Sequence, residues 1–251
     1  MSGTPASDAF GIIVVGDEIL NGRRSDRHFD GIGGLLRERG FKVAWLRILP
    51  DDPEYLVSEF ARTMAEGIPV FCCGGIGATP DDHTRACAAR AAGVALSLHP
   101  GAVAEIEGRF GAEAYPNRIK MAELPLGSEL IPNPYNRIPG FSIKRHYFMP
   151  GFPDMAHPMA AWVLDNWFAE GGHAERQCAV RVRGVTESSL MDLMQQLVER
   201  FPEAKLFSLP RLGAEFQIEL GFRGRCDLEA PLQALMAGLE QRGVTFDRLD
   251  D

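Results

Sequence analysis

The sequence holds little cysteine, fewer basic than acidic residues and no long apolar run, and each shortage excludes a class of protein. Its five cysteines, Cys72, Cys73, Cys87, Cys178 and Cys226, form no CxxC pair and no metal-finger spacing. A disulfide scaffold and a zinc module are therefore excluded, and the scattered odd set suits reduced thiols in a cytosolic core. Lys and Arg number 26 against 34 Asp and Glu, giving a net charge of −8 and a pI near 5.3. That balance argues against a general nucleic-acid binder. No apolar stretch approaches the ~20 residues of a membrane span. The opening MSGTPASDA has neither the basic start nor the apolar centre of a signal peptide, so a cytoplasmic protein is expected.

What is present is ordinary for a globular chain: 45% hydrophobic and 24% charged residues over 251 positions. This is enough for one large domain and a small one. The chain is organised around Val70–Thr84, VFCCGGIGATPDDHT. A short apolar run, Val70 to Cys73, breaks into Gly74, Gly75 and Gly77, and helix-start residues follow, which reads as buried strand, glycine turn, helix. Glycines admit positive φ and let a ligand approach the main chain. Amides at a following helix N-terminus suit phosphate. Capping alone explains part of the same pattern: Thr79 fits an N-cap, Pro80 the first helical position, and Asp81 and Asp82 the first turn. Capping does not explain three glycines, and two acids beside a phosphate would call for a divalent cation between them.

Residues 1 to 8 read as a mobile tail. Phe10–Val15 is a β-branched apolar strand ending in Gly16-Asp17-Glu18, which is either a turn or a ligand contact at the carboxyl end of a sheet strand. A helix follows from Asp26 to Arg39, capped by Ser25 or Asp26, and its His28 reads as a surface residue more readily than as a ligand. A strand Phe41–Leu49 leads into Pro50-Asp51-Asp52-Pro53, with Asp52 as N-cap of a helix to Glu66 and Asp51 left unexplained. The third strand is Ile68–Cys73. Strands and helices alternating at this spacing give right-handed crossovers and a parallel sheet.

After the glycine segment the helix runs to Gly93. Residues 99 to 124 read as two helices, the second carrying Asn117, Arg118 and Lys120. From Pro125 the chain is rich in Pro, Gly and Asn and makes short β-segments, with Tyr147–Met149 rejoining the sheet and delivering Pro150-Gly151-Phe152-Pro153 as a rigid loop. A helix from Asp154 to Phe168 closes the first domain, 9–170, and Glu170–His173 is a linker. The second domain, 174–251, reads as a compact α+β unit: strands near Cys178–Val182, Lys205–Ser208, Glu215–Leu220 and Val244–Phe246, and helices Glu187–Arg200 and Asp227–Arg242. It carries 10 Arg and Lys against 13 Asp and Glu, a poor surface for a phosphate backbone. Its Gly221-Phe222-Arg223-Gly224 is nominally the GxxG of an RNA clamp, but that clamp joins two helices and this one follows a strand.

VVGDEILNG, LPDDP, GGIGATPDDHT, the PNP at Pro132–Pro134, the PGF at Pro139–Phe141 and MPGFPDM stand in the order seen in the CinA (competence/damage-inducible protein A) family. Residues 9 to 170 resemble that family and, more distantly, molybdopterin-binding domains of the MoaB/MogA type. Residues 174 to 251 resemble its small KH-like domain, and the chain stops before the amidase domain that deamidates nicotinamide mononucleotide, so that activity is not expected. The resemblance implies a three-layer α/β fold with a mostly parallel sheet and a crevice at the strand ends. The ligand it implies is a phosphorylated small molecule, nucleotide or pterin (molybdopterin), and it implies homo-oligomers.

For CinA-type members the resemblance also implies metal-dependent cleavage of ADP-ribose. The alternative is a binding protein of molybdenum cofactor biosynthesis without turnover. Carried over by position, the ligand contacts are Gly16, Gly74, Gly75, Ile76, Gly77, Ala78, Thr79, Thr84, Asn117, Lys120 and Gly151. The metal set, for Mg, Mn or Co, is Asp17, Glu18, Asp82 and Asp154, with Asp51 and Asp82 catalytic. A divalent ion on carboxylates would neutralise a pyrophosphate and activate water. Three positions depart from the family pattern: His28 replaces Asn, Ala78 replaces Pro, and Met155 takes the glutamate position of PGxPxEM. Either Asp154 substitutes for that glutamate, or binding persists without catalysis.

Overall fold

A computed structural model describes residues 8–173, 175–211 and 216–249. The expected tail, apart from Asp8, and Glu215 at the head of one expected strand lie outside the described residues. The chain forms two compact units, divided in sequence between Gly172 and His173.

The first unit is built on a six-stranded sheet. Its strands are β1 (Ala9–Val15), β2 (Lys42–Leu49), β3 (Val70–Cys73), β6 (Glu129–Ile131), β7 (Gly140–Ile143) and β8 (His146–Met149), in the order β2-β1-β3-β8-β7-β6. Strands β2, β1, β3 and β8 are parallel, and the β6–β7–β8 end is antiparallel. A two-stranded ribbon pairs β4 (Leu96–Leu98) with β5 (Glu123–Pro125). The helices are the single turn α1 (Asp17–Leu20), α2 (His28–Glu38), α3 (Pro53–Glu66), α4 (Thr84–Ala92), α5 (Pro100–Phe110) and α6 (Pro153–Trp167).

Alternate residues of the central strands feed opposite cores. Ile13, Val15, Val70 and Cys72 pack with Leu56 and Phe60 of α3 and with Cys87 and Ala88 of α4. Phe10, Ile12, Val14, Phe71 and Cys73 pack with Ile32 and Leu36 of α2 and with Met159, Ala160 and Val163 of α6. Helices therefore cover both faces, as an apolar parallel sheet requires. Each fully buried large side chain contributes ~1.5–3 kcal/mol. The strand expected at Tyr147–Met149 does rejoin the sheet, beside β3.

The second expected helix between residues 99 and 124 is not formed. Two 3₁₀ turns, Gly111–Ala114 and Arg118–Ala122, lead straight into β5. Asp52 caps α3 as expected, accepting from Tyr55 N at 2.8 Å. Asp26 takes the amides of His28 and Phe29 at the start of α2.

The second unit pairs β9 (Arg176–Arg183), β10 (Lys205–Arg211), β11 (Gln217–Gly224) and β12 (Phe246–Leu249) in the antiparallel order β10-β11-β9-β12. Helices α7 (Met191–Arg200) and α8 (Glu229–Gln241) supply Leu193, Leu197, Leu232, Leu235 and Leu239 to a core with Val180, Val182, Ile218, Leu220 and Phe222. The Gly221–Gly224 segment lies inside β11, not in a loop. A Cβ on Gly221 would stand 2.1 Å from the Cys178 carbonyl oxygen, so this glycine serves close strand packing. Among the described residues no helix is long and apolar enough to cross a membrane.

Candidate functional site

The carboxyl ends of β1, β2, β3 and β8 meet at one place. Gly16 N donates to Leu49 O at 3.0 Å, and Gly74 N donates to Met149 O at 3.0 Å. A Cβ on Gly151 would stand 3.3 Å from Gly74 Cα. These ends frame a cavity of about 470 Å³, within the range of small-molecule sites.

The Gly74–Thr79 loop forms one wall. Gly74 has φ +109° and Gly75 φ +66°, and a Cβ would fall 2.2 Å from Val15 O at the first and 2.3 Å from Thr84 Oγ1 at the second. Neither position accepts a larger residue. The expectation that Thr79 caps the next helix is corrected: α4 begins at Thr84. The physical reason is Asp82. Its carboxylate accepts from Gly77 N and Thr79 N, each at 2.9 Å, and from the Thr79 hydroxyl. The loop thereby closes on itself before the helix starts.

Arg85 completes the fastening from behind. It is buried, and it donates to Gly77 O at 2.7 Å, to Glu123 O at 3.1 Å and to Lys120 O. Five loop amides follow Gly74, and Asp82 uses two of them. Those of Gly75, Ile76 and Ala78 have no partner among the described residues. Thr84 is buried behind the loop, with its amide on Gly75 O at 3.0 Å and its hydroxyl unpartnered among the described residues.

The acids distribute unevenly. Glu18, Asp51, Asp81 and Asp82 border the cavity. Asp17 does not line it, but its amide donates to Asp51 Oδ2 at 2.9 Å, which accounts for the aspartate that local sequence left unexplained. Burial raises the Asp51 carboxyl above its ordinary value, and the nearby Asp17, Glu18 and Asp81 charges add to this against the lowering effect of the Asp17 amide. Asp154 sits exposed in the first turn of α6, outside the lining. Among the described residues no three His, Cys, Asp or Glu side chains converge closely enough to hold a metal. Both oxygens of Asp82 are engaged by its own loop, and Asp17 and Asp154 lie outside the lining. Among the described residues the expected metal set is not assembled.

Of the expected ligand contacts, Gly16 and the run Gly74 to Thr79 line the cavity with Gly151. Asn117 and Lys120 are exposed and lie outside it; the Lys120 carbonyl, not its ammonium, serves the site through Arg85. Residue-by-residue reading missed Arg24, the basic side chain of the lining, whose amide donates to Glu18 O at 2.9 Å. Its signal was its place two residues past the GDEILNG motif. Also missed as lining were Met121, Asn136, Ile138 and Phe152, which come from the irregular segments after α5. His28 is buried rather than on the surface. Its Nε2 donates to Gly151 O at 3.3 Å, and burial lowers its pKa, so the neutral ring holds the loop after β8.

Fold and cavity together define a three-layer α/β domain with a crevice at the carboxyl ends of a mainly parallel sheet. Residues 11–169 match the family described as "Probable molybdopterin binding domain". The chain belongs to that family, in its CinA-like group. It is 30% identical over 239 residues to a CinA-like protein of Citrifermentans bemidjiense, covering 92% of this chain and 57% of that protein. The chain thus spans little more than half the length of that relative. A protein of Aeropyrum pernix is 33% identical over 260 residues, covering 95% of this chain and 96% of the other. The crystal structure of the protein CinA, of unknown function, from Thermoplasma acidophilum superposes with a TM-score of 0.58 at 28% identity, covering 63% of this chain and 98% of that one.

Proposed function

We propose that the cavity binds a phosphorylated small molecule with a planar ring, a nucleotide or a pterin. The observation that carries this reading is the division of amides in the glycine loop. Asp82 fixes Gly77 and Thr79, and the Gly75, Ile76 and Ala78 amides stay unpaired at the cavity. Successive free backbone N–H groups in such a turn suit phosphate oxygens. Arg24 adds counter-charge, and Met121, Ile138, Phe152 and Met155 offer an apolar wall to a ring. The family description supports a pterin. The test is mass spectrometry of small molecules retained after gentle purification, followed by calorimetric titration with nucleotides, ADP-ribose and a pterin. The expected result is binding that Gly75→Ala abolishes, and no binding of any of these ends the reading.

One observation favours turnover as a second reading. Asp51 stands at the cavity, and burial raises its carboxyl above the ordinary aspartate value, which makes it a stronger base toward a bound water. Cleaving an ADP-ribose-like pyrophosphate would place the water oxygen on phosphorus, its proton on Asp51, and break the bridging P–O bond to give two monophosphates. Release of AMP from ADP-ribose, assayed alone and with Mg²⁺, Mn²⁺ or Co²⁺, and its loss in Asp51→Asn, is the expected result for an enzyme. Self-association, implied by the resemblance, is read by light scattering on the purified chain.

A further inference from the structure

We propose that Asn136 determines ligand specificity: it selects a ring that presents a carbonyl oxygen, as pterins and 6-oxopurines do, over one that presents an amino group, as adenine does. This rests on the reading of the cavity as a site for a phosphorylated ring.

The segment before β7 is shaped by two asparagines. Asn133 Oδ1 accepts from Tyr135 N at 3.0 Å, and Asn136 Oδ1 accepts from Ile138 N at 3.0 Å. Arg137, between Asn136 and Ile138, takes φ +65° and is anchored by its Nε to Glu105 Oε2 at 2.9 Å. The Ile138 amide must face an acceptor, so it fixes which end of the Asn136 carboxamide is oxygen. The NH₂ end is then turned to Met155, whose Sδ lies 3.5 Å away.

A thioether is a weak acceptor, and an amide NH₂ carries two donors. No other partner meets this NH₂ among the described residues. Its neighbours in the cavity wall are Ile138 and Met155. Asn136 is half-buried, so solvent can meet this donor until a ligand oxygen replaces it with a hydrogen bond of fixed geometry. By resemblance, residue 155 is a glutamate position. A carboxylate there would engage the NH₂ and would itself accept from a ligand amine. The methionine thioether engages the NH₂ only weakly, at 3.5 Å, and is a poor acceptor for a ligand amine. Among the side chains of Asn136, Ile138 and Met155 the strong group left over is a donor, because Asn136 Oδ1 already accepts from Ile138 N: a ring carbonyl is paired there, and an exocyclic amine is not favoured.

The experiment compares IMP and AMP, which share ribose and phosphate and differ at the oxo or amino group of the purine, by calorimetry on the whole chain. The expected result is that IMP binds about tenfold tighter, the value of one hydrogen bond in a half-open site. Asn136→Asp keeps the acceptor for Ile138 N and replaces the donor with a second acceptor, so the preference should reverse toward AMP while circular dichroism stays unchanged. Asn136→Ala should bring the two nucleotides level. Equal affinities in the unsubstituted protein, or a ratio that Asn136→Asp leaves unchanged, overturn this proposal alone. An equal loss of both ligands in Asn136→Ala would assign the NH₂ to phosphate and overturn it too. Binding of neither nucleotide would remove the proposal together with the reading beneath it.

Discussion

The carboxylate of Asp82 holds the main-chain amide of Gly77 at 2.9 Å, five residues back along the same loop. An acid that local sequence places beside a phosphate or a metal is thus a fastening of the loop that lines the cavity. Asp82→Ala should leave two amides unpaired, costing about 1–3 kcal/mol and weakening ligand binding. Asp82→Asn keeps one acceptor oxygen and should recover part of both losses. Urea unfolding and calorimetry on the two variants check this. An unchanged affinity in Asp82→Ala would show that the loop does not need the clamp.

Arg85 acts on the opposite edge of the same loop. Its guanidinium serves carbonyl oxygens of Gly77, Lys120 and Glu123 from a buried position. Arg85→Met should destabilise the protein by about 2–4 kcal/mol, because three carbonyls lose a charged donor. Arg85→Lys should not restore it, since an ammonium cannot span a planar fork. Midpoints of urea unfolding give the comparison.

Gly74→Ala tests the close approach of strand ends. The new Cβ would meet Val15 O at 2.2 Å, in a backbone conformation of φ +109°. Backbone oxygen cannot swing aside as a flexible side chain would, so a loss of several degrees in Tm is expected together with loss of binding. A melting point equal to that of the parent chain would contradict the geometry.

His146 sets a pH dependence of stability. Burial at the start of β8 lowers its pKa from 6.5 to about 4, with Nδ1 donating to Lys144 O at 3.1 Å and Thr63 Oγ1 at 2.8 Å from Nε2. The unfolded ring binds a proton more tightly than the folded one. Stability is therefore complete above pH 6.5, falls as pH drops toward about 4 and levels off below. The loss over that window is about 3 kcal/mol. In His146→Phe the Thr63 hydroxyl still reaches Glu59 O at 3.0 Å, so the variant should fold and show a flatter profile. Unfolding free energies at pH 7 and pH 4.5 decide it.

The thiols of Cys72, Cys73 and Cys87 should resist Ellman's reagent at pH 8 until the chain is unfolded. All three are buried, and burial pushes each upward, Cys87 to about 11. Cys178 and Cys226 are partly exposed and should react first. Rapid reaction of more than two thiols in the native protein would contradict the burial of β3 or of the inner face of α4.

Local order along the chain determined much of this protein. Apolar runs at Phe10–Val15 and Val70–Cys73, divided by helix-length amphipathic stretches, dictate a parallel sheet buried on both faces, because such strands have no polar side to turn to water. Glycines clustered at the end of β3 mark where backbone must come close to backbone. Only tertiary structure decided which polar groups remain unspent. That Asp82 consumes two loop amides, that Arg85 reaches carbonyls up to 38 residues away, and that His28 closes on Gly151 across 123 residues are consequences of folding. A residue type and its spacing fix what a group can donate or accept, whereas the neighbour that satisfies it, or fails to, arrives only when distant segments pack.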